Sequence, residues 1–309
     1  MKAAAETPGL SPEAFRDRLV LGTAQFGLAY GINNTTGKPS AEAVDELLAL
    51  AVAYGLRWFD TAAAYGDAEA RLGYFLQRQS GPACQVITKL RAASYSETWE
   101  QLRVALARLA QPHLYGVLFH DFETARQHPE AWEALLEARS QGLVKRMGVT
   151  LYHPWQAEWL LEQQLPAELI QVPFNVFDQR FASLLEPLAA AGTEVHLRSA
   201  FLQGLLLRDP EALPVFFQPL APRLRRLRII AAATPTVPLP TLLLLFSFIH
   251  AWQSGPLARV VIGVDSAANL SDNVAAYQHY PDVLARLDEL RELAETDDTF
   301  ILPYTWPKS

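Results

Sequence analysis

The sequence predicts a (β/α)8 barrel, an α/β fold, on three observations. Short apolar runs alternate with amphipathic helical stretches along the whole chain. Eight such runs occur, and most are continuously apolar rather than apolar at every second residue. Continuous apolarity means that both faces of a strand are covered, as in a parallel sheet wrapped by helices. Eight strand–helix units in one chain then favour a closed barrel over a doubly wound open sheet. At 309 residues the chain has room for one barrel, which takes about 250. No linker, low-complexity tract or shift in composition marks a boundary. A single domain is therefore expected over 1–309, with its core at about 19–277 and terminal extensions at 1–18 and 298–309.

The units follow in order. "RLVLGTAQ" supplies the first strand, ending at Gly22 and Thr23, and "SAEAVDELLALAVAYG" the first helix. In that helix Val44, Leu47, Leu48, Ala51 and Val52 share one face, Ser40 is placed to cap the start, and Gly55 to stop the end. "LRWFD" precedes the helix around Leu72, Phe75 and Leu76; "QVITK" precedes the one carrying Trp99, Leu102, Leu106 and Leu109; "YGVLFH" precedes the one around Trp132, Leu135 and Leu136. "VKRMGVT" leads to the helix with Trp155, Trp159 and Leu160, and "ELIQVPFN" to the one from Ser183 to Ala191. "EVHLRS" leads through an irregular insertion, Leu205 to Pro240, to the run "LLLLFSFI" at 242–249, read as a buried helix because it is too short to span a bilayer. "LARVVIG" closes the series. Long insertions often cover a site.

Composition narrows the partners. Half the residues are hydrophobic and 19% are charged, which suits a large buried core. The net charge of -7 argues against nucleic acid or an anionic membrane, both of which are held by clustered Lys and Arg. The one basic cluster, Arg223, Arg225, Arg226 and Arg228, reads as a solvated helix face, with phosphate binding as the other option. A single cysteine, Cys84, excludes an internal disulfide and fits a reducing cytoplasm; its place ahead of "QVITK" reads as buried. The opening "MKAAAETPGLSPEAF" lacks the unbroken apolar core of an export signal.

Strand ends of a barrel converge on one mouth, so the residues delivered there carry the chemistry. Asp60 follows the second strand, Lys89 the third and His120 the fourth, with Tyr65 in the loop after the second. Each alone has an ordinary use: Asp60 and Thr61 can cap a turn, and a loop tyrosine can simply pack. Together they form a proton-transfer unit. A free phenol ionises near pH 10, and an adjacent ammonium stabilises the phenolate it leaves behind. Lys89 would provide that ammonium, Asp60 would hold it, and His120 would orient a carbonyl oxygen that Tyr65 protonates.

The motifs "FDTAAAYG", "ITK" and "LFH" resemble the aldo-keto reductases, over roughly Leu19 to Ala276. The resemblance implies a catalytic tetrad of Asp60, Tyr65, Lys89 and His120, with Tyr65 as general acid, and a small-molecule carbonyl substrate reduced by a nicotinamide cofactor. For the cofactor it implies contacts at Gly22 and Thr23, at Thr150 in "GVT" and Gln171 in "IQVPFN", with Leu151 where the family often has Asn. "HLRSAFLQGLL" resembles the pyrophosphate loop, implying Ser199, Leu202 and Gln203 near the phosphates. Arg198 falls where many members stack an aromatic ring on the nicotinamide; a guanidinium there can stack or can bind an anionic group. "VIGVDSAANLSDN" resembles the adenosine-phosphate loop, with Gly263, Ser266, Asn269 and Asn273 in matching places. NADP is what the family implies, yet this loop has no Lys or Arg for a 2'-phosphate, Asp265 would repel one if it pointed inward, and Arg259 lies before the strand. NADP therefore stays the expectation, weakened by the local chemistry toward NAD or dual use. Oligomeric state is not legible.

Two rival readings stand beside this one. A metal-dependent barrel hydrolase needs closely paired histidines, whereas among the seven here only His120 and His196 come near strand ends. A barrel that keeps the pocket as a binding or regulatory subunit, or for non-redox proton chemistry, would account for the departures at Leu151, Arg198 and the cation-free loop.

Overall fold

The computed structural model describes residues 10–32, 34 and 37–307. The opening of the chain, on which the export reading rests, and part of the Gln25–Pro39 loop lie outside the described residues. Eight runs rich in Val, Ile and Leu form strands β1 Leu19–Gly22, β2 Trp58–Asp60, β3 Gln85–Leu90, β4 Leu114–Phe119, β5 Val144–Thr150, β6 Leu169–Pro173, β7 Glu194–Arg198 and β8 Arg259–Gly263. They pair in sequence order and close into a barrel, every pair parallel. The register sets Gly22 beside both Asp60 and Gly263, so the C-terminal ends of β1, β2 and β8 stand level at one mouth.

Continuous apolarity has the cause the sequence suggests. One face of the strands packs on the helices, and the other fills the barrel with Val20, Trp58, Ile87, Tyr115, Leu118 and Leu169. The helix Leu239–Ser254 carries the greasy run and is buried from Thr241 to Ala251, with Phe174 stacked on Phe246 at 5.8 Å. Ser40 caps the helix Ala41–Ala53 as expected, and Gly55 follows it with a φ of 92°. The helix Pro12–Asp17 is packed rather than free: Phe15 meets Phe248 at 4.4 Å, and Arg18 donates to the carbonyls of Gly255 and Ala258.

A polar plug seals the bottom. Glu194, fully buried at the start of β7, accepts from Arg259 at 2.6 Å and Tyr115 at 2.6 Å, and lies 2.8 Å from His196 Nε2. Burial works against the Glu194 carboxylate, but His196, Arg259 and Tyr115 outweigh it and hold it below the usual range. Arg259 and His196 thus serve the floor of the barrel and not its mouth.

Three expectations change. The Leu205–Pro240 insertion is mostly helical: 3-10 turns at Leu202–Leu207, Pro210–Ala212 and Val215–Leu220 lead into the helix Ala221–Ala232. Its basic run is in part the solvated face expected, with Arg225 and Arg226 exposed, but three of its four arginines are also tied down. Arg225 pairs with Glu211 at 2.7 Å, Arg223 with Glu295 at 2.9 Å, and Arg228 donates to the carbonyls of Leu207 and Arg208. Hydrogen bonds to backbone and to acids on neighbouring turns tie the insertion down, which a linear run of arginines does not reveal. Cys84 is half-buried; burial pushes its thiol up, the opposite of an activated nucleophile.

Candidate active site

The tetrad is assembled by strand ends and one tight loop. Lys89 sits one residue before the end of β3, where its ammonium, almost wholly buried, donates to Asp60 Oδ2 at 2.6 Å, to the Thr61 carbonyl at 3.1 Å and to the Tyr65 hydroxyl at 3.4 Å. Gln171, from β6, donates to the other Asp60 oxygen at 2.5 Å. Asp60 is thus held from both sides, and a buried charge of each sign finds its partner. Burial works to discharge Lys89, but Asp60 and Tyr65 outweigh it and hold the ammonium above its ordinary pKa.

Tyr65 is aimed by its backbone. Its N–H donates to the Ala62 carbonyl, its own carbonyl accepts from Ala68, and Gly66 follows in the left-handed region at φ 59°. A Cβ on Gly27 would stand 1.8 Å from the Tyr65 carbonyl oxygen, so two glycines let the β1 and β2 loops touch and fix the phenol. His120 meets the Tyr65 ring edge-on, centroids 5.9 Å apart, and the Thr150 hydroxyl donates to its carbonyl at 2.6 Å. Burial, then the charges of Lys89, Arg91 and Arg198, push the His120 imidazole down to about 3, so it is neutral near pH 7. Its Nδ1 is buried without a partner; the nitrogen free to meet a ligand is Nε2.

These groups line a cavity of about 520 Å³. Gly22, Thr150, Gln171, Arg198, Ser199, Gln203, Gly263, Asn269 and Asn273 also line it. Three predicted positions are placed elsewhere. Thr23 is buried, its backbone N–H donating to the Asp60 carbonyl. The Leu202 side chain lies in the core. Ser266 caps the helix Ala267–Ala275 through the Asn269 N–H. Leu151 is likewise buried, and only its carbonyl turns to the site, accepting from Arg198 at 3.2 Å.

The loop after β7 has a conformation that sequence alone could not supply. Ser199, Leu202 and Gln203 adopt φ values of 67°, 45° and 52°, and Gly204 follows at 94°. Left-handed backbone at non-glycine residues is strained and collects at binding sites. Lining residues that the motifs did not single out include Gln25, Tyr30, Arg91 and Tyr152, with Tyr304 from the C-terminal segment. Only position offers a signal for them: Arg91 and Tyr152 each lie two residues beyond a strand-end group already named. Among the described residues, no group of three or more His, Cys, Asp or Glu could hold a metal ion, and no helix is long and apolar enough to cross a membrane.

Comparison with known proteins agrees with this fold. An aldo-keto reductase from Bacillus halodurans, solved in its holo form, superposes with a TM-score of 0.71 at 18% identity, covering 91% of this chain and 93% of that one. A glycerol dehydrogenase from Gluconobacter oxydans gives 0.65 at 19% identity, covering 87% and 91%. At such identities the likeness is one of fold. In sequence, the chain is 31% identical over 98 residues to an uncharacterized oxidoreductase of Schizosaccharomyces pombe, a match spanning 31% of this chain and 36% of that protein. It is 29% identical over 118 residues to an aldo-keto reductase of Mycolicibacterium vanbaalenii, spanning 37% of this chain and 42% of that one. These matches span well under half of either relative. The model of the aldo/keto reductase family, by contrast, matches residues 18–292, nearly the whole barrel from the start of β1 onward, and the chain belongs to that family.

Proposed function

We propose that the protein is a nicotinamide-dependent reductase of aldehydes or ketones in which Tyr65 gives the proton. The observation that carries this reading is the Lys89 ammonium bridging Asp60 and the Tyr65 hydroxyl at the base of the cavity. A module that only binds has no physical need for a buried ammonium against a phenol.

The residues present fit a dinucleotide. The amides of Gln171, Asn269 and Asn273 and the hydroxyls of Ser199 and Thr150 line the cavity, suited to carboxamide, ribose and phosphate oxygens. The strained turn at Ser199–Gly204 suits close backbone approach to a pyrophosphate. When bound, the cofactor supplies a hydride to a carbonyl carbon. Along the β8 end the cavity is lined by Gly263, Asp265, Asn269 and Asn273, with no cation for a 2'-phosphate, so NADH is expected to bind at least as well as NADPH.

The chain's own residues do the rest. Neutral His120 holds the carbonyl oxygen through Nε2, within reach of Tyr65. The phenol donates its proton as negative charge gathers on that oxygen, and Lys89 stabilises the phenolate left behind. Asp60 and Gln171 keep the ammonium aimed. The test is Tyr65→Phe, with cofactor oxidation measured against a panel of aldehydes and cofactor affinity measured by tryptophan fluorescence. Turnover should fall by about 10²- to 10⁴-fold while affinity stays within a factor of about three, less than 1 kcal/mol. A variant that turns over at the normal rate refutes the role of Tyr65, and a wild type that binds neither NADH nor NADPH refutes the reductase.

A further inference from the structure

Two guanidinium groups reach the cavity with no carboxylate to answer them. Arg198 ends β7, half-buried, its face 4.4 Å from the Tyr152 ring centroid. Its Nη2 donates to the Leu151 carbonyl at 3.2 Å and its Nη1 to the Ser199 hydroxyl at 3.4 Å. Both bonds are long, and a guanidinium has five N–H donors. Arg91, exposed, stands two residues beyond Lys89 and also lines the cavity. Among the described residues neither arginine makes an ion pair. The carboxylates lining the cavity are Asp60, already held by Lys89, and Asp265 at the β8 end.

The reacting end is therefore positive in a protein whose net charge is -7. With Asp60 and Lys89 cancelling each other, two positive charges remain, and both act on His120 along with Lys89. A cleft of one sign within a protein of the other focuses the field on incoming ligand. The arginine on β7 is also preorganised. Tyr152, on which it lies, is met edge-on by Tyr304 at 4.9 Å, and the Tyr304 hydroxyl sits 3.2 Å from His153 Nε2. An Arg held by a flat ring presents its N–H edge in fixed geometry, the form suited to a carboxylate or phosphate.

We infer that the carbonyl substrate carries an anionic group, a carboxylate or a phosphate, bound by Arg198 with Arg91 adding to the field. This rests on the reductase reading and names the substrate class of the same site. The competing use of Arg198, stacking on the nicotinamide, does not account for the second unanswered charge at Arg91, on the opposite side of His120 from β7.

The test compares kcat/KM for 4-carboxybenzaldehyde, 4-formylphenyl phosphate and the uncharged methyl 4-formylbenzoate, which share one ring and one aldehyde. Wild type should prefer an anion over the ester by at least about tenfold, mainly through KM, and the better anion identifies the source. Arg198→Met should collapse that ratio whatever it does to the ester, Arg198→Lys should restore part of it, and Arg91→Met should lower it about threefold. Equal use of all three aldehydes, or a ratio unchanged in Arg198→Met, overturns the inference. If no aldehyde is reduced, the reductase reading falls, and calorimetry with 4-carboxybenzaldehyde alone decides this one. Binding abolished by Arg198→Met sustains the anion site; absence of binding to wild type overturns it.

Discussion

Replacing Lys89 by Met should unfold the protein more easily than any single contact would suggest, and replacing Asp60 as well should restore much of the loss. Lys89 and Asp60 lie 2.6 Å apart with side chains 2% and 5% exposed. At an effective dielectric of about 20 the attraction is about 6 kcal/mol, against a desolvation cost of several kcal/mol per ion. The intact pair is thus close to neutral, whereas Asp60 without its ammonium keeps the desolvation cost and only the Gln171 amide. Lys89→Met is expected to cost about 3–5 kcal/mol. Asp60→Asn should cost less, because the stranded ammonium keeps the Thr61 carbonyl. The double variant exchanges two charges for neutral groups of similar shape and should lie within about 2 kcal/mol of wild type. Urea unfolding of the four proteins at pH 7.5, fitted with a common slope, gives the coupling energy directly. A coupling below about 0.5 kcal/mol, the scatter of independent sites, would mean that the pair is not an energetic unit and that Asp60 does not hold Lys89 in place.

Three further outcomes are expected. The His120 imidazole, pushed down to about 3 by burial, binds its proton more readily unfolded; its stabilising effect is present above pH 6.5 and falls away as pH drops toward 3, by up to about 1.4 kcal/mol per unit. His250, also lowered by burial, acts in the same direction, and Glu194, held low, joins below pH 4.5. Urea midpoints across pH 7 to 4 should therefore decline, less steeply in His120→Gln; an equal slope would place His120 in a wetter setting. Gly27→Ala puts a Cβ where the Tyr65 carbonyl oxygen sits, 1.8 Å away, so it should lower kcat by about tenfold or more with dinucleotide affinity retained; a normal kcat would show that the loop contact does not aim the phenol. Asn269→Arg adds the missing cation at the β8 end and should move the NADPH-to-NADH affinity ratio by about tenfold toward NADPH, read by fluorescence titration; an unchanged ratio would mean that the 2'-phosphate does not lie there.

Much of this molecule is legible in one dimension. Apolar periodicity, caps such as Ser40 and stops such as Gly55 are local properties of a chain, and eight repetitions of strand and helix leave few ways to bury them. The ionisable residues at successive strand ends are equally local, and parallel closure alone is enough to bring Asp60, Lys89 and His120 to one mouth. What the sequence could not decide depends on contacts between distant segments. Arg198 reads from sequence as a group that could stack on a cofactor or bind an anion, and only the fold shows it lying on Tyr152 and donating to the Leu151 carbonyl with no carboxylate beside it. Of the arginines of "RLRRLR", Arg226 stays on the solvated face the sequence suggests, but acids and carbonyls on other elements make staples of Arg223, Arg225 and Arg228. Gly27 is an ordinary glycine until the fold brings it against Tyr65. The sequence by itself determined the architecture and the kinds of group at the mouth, because periodicity and strand ends are written residue by residue. The tertiary structure decided which charges are answered and which are left open, because neutralisation depends on what lies within a few ångströms in space, and neighbours in a barrel come from everywhere in the chain.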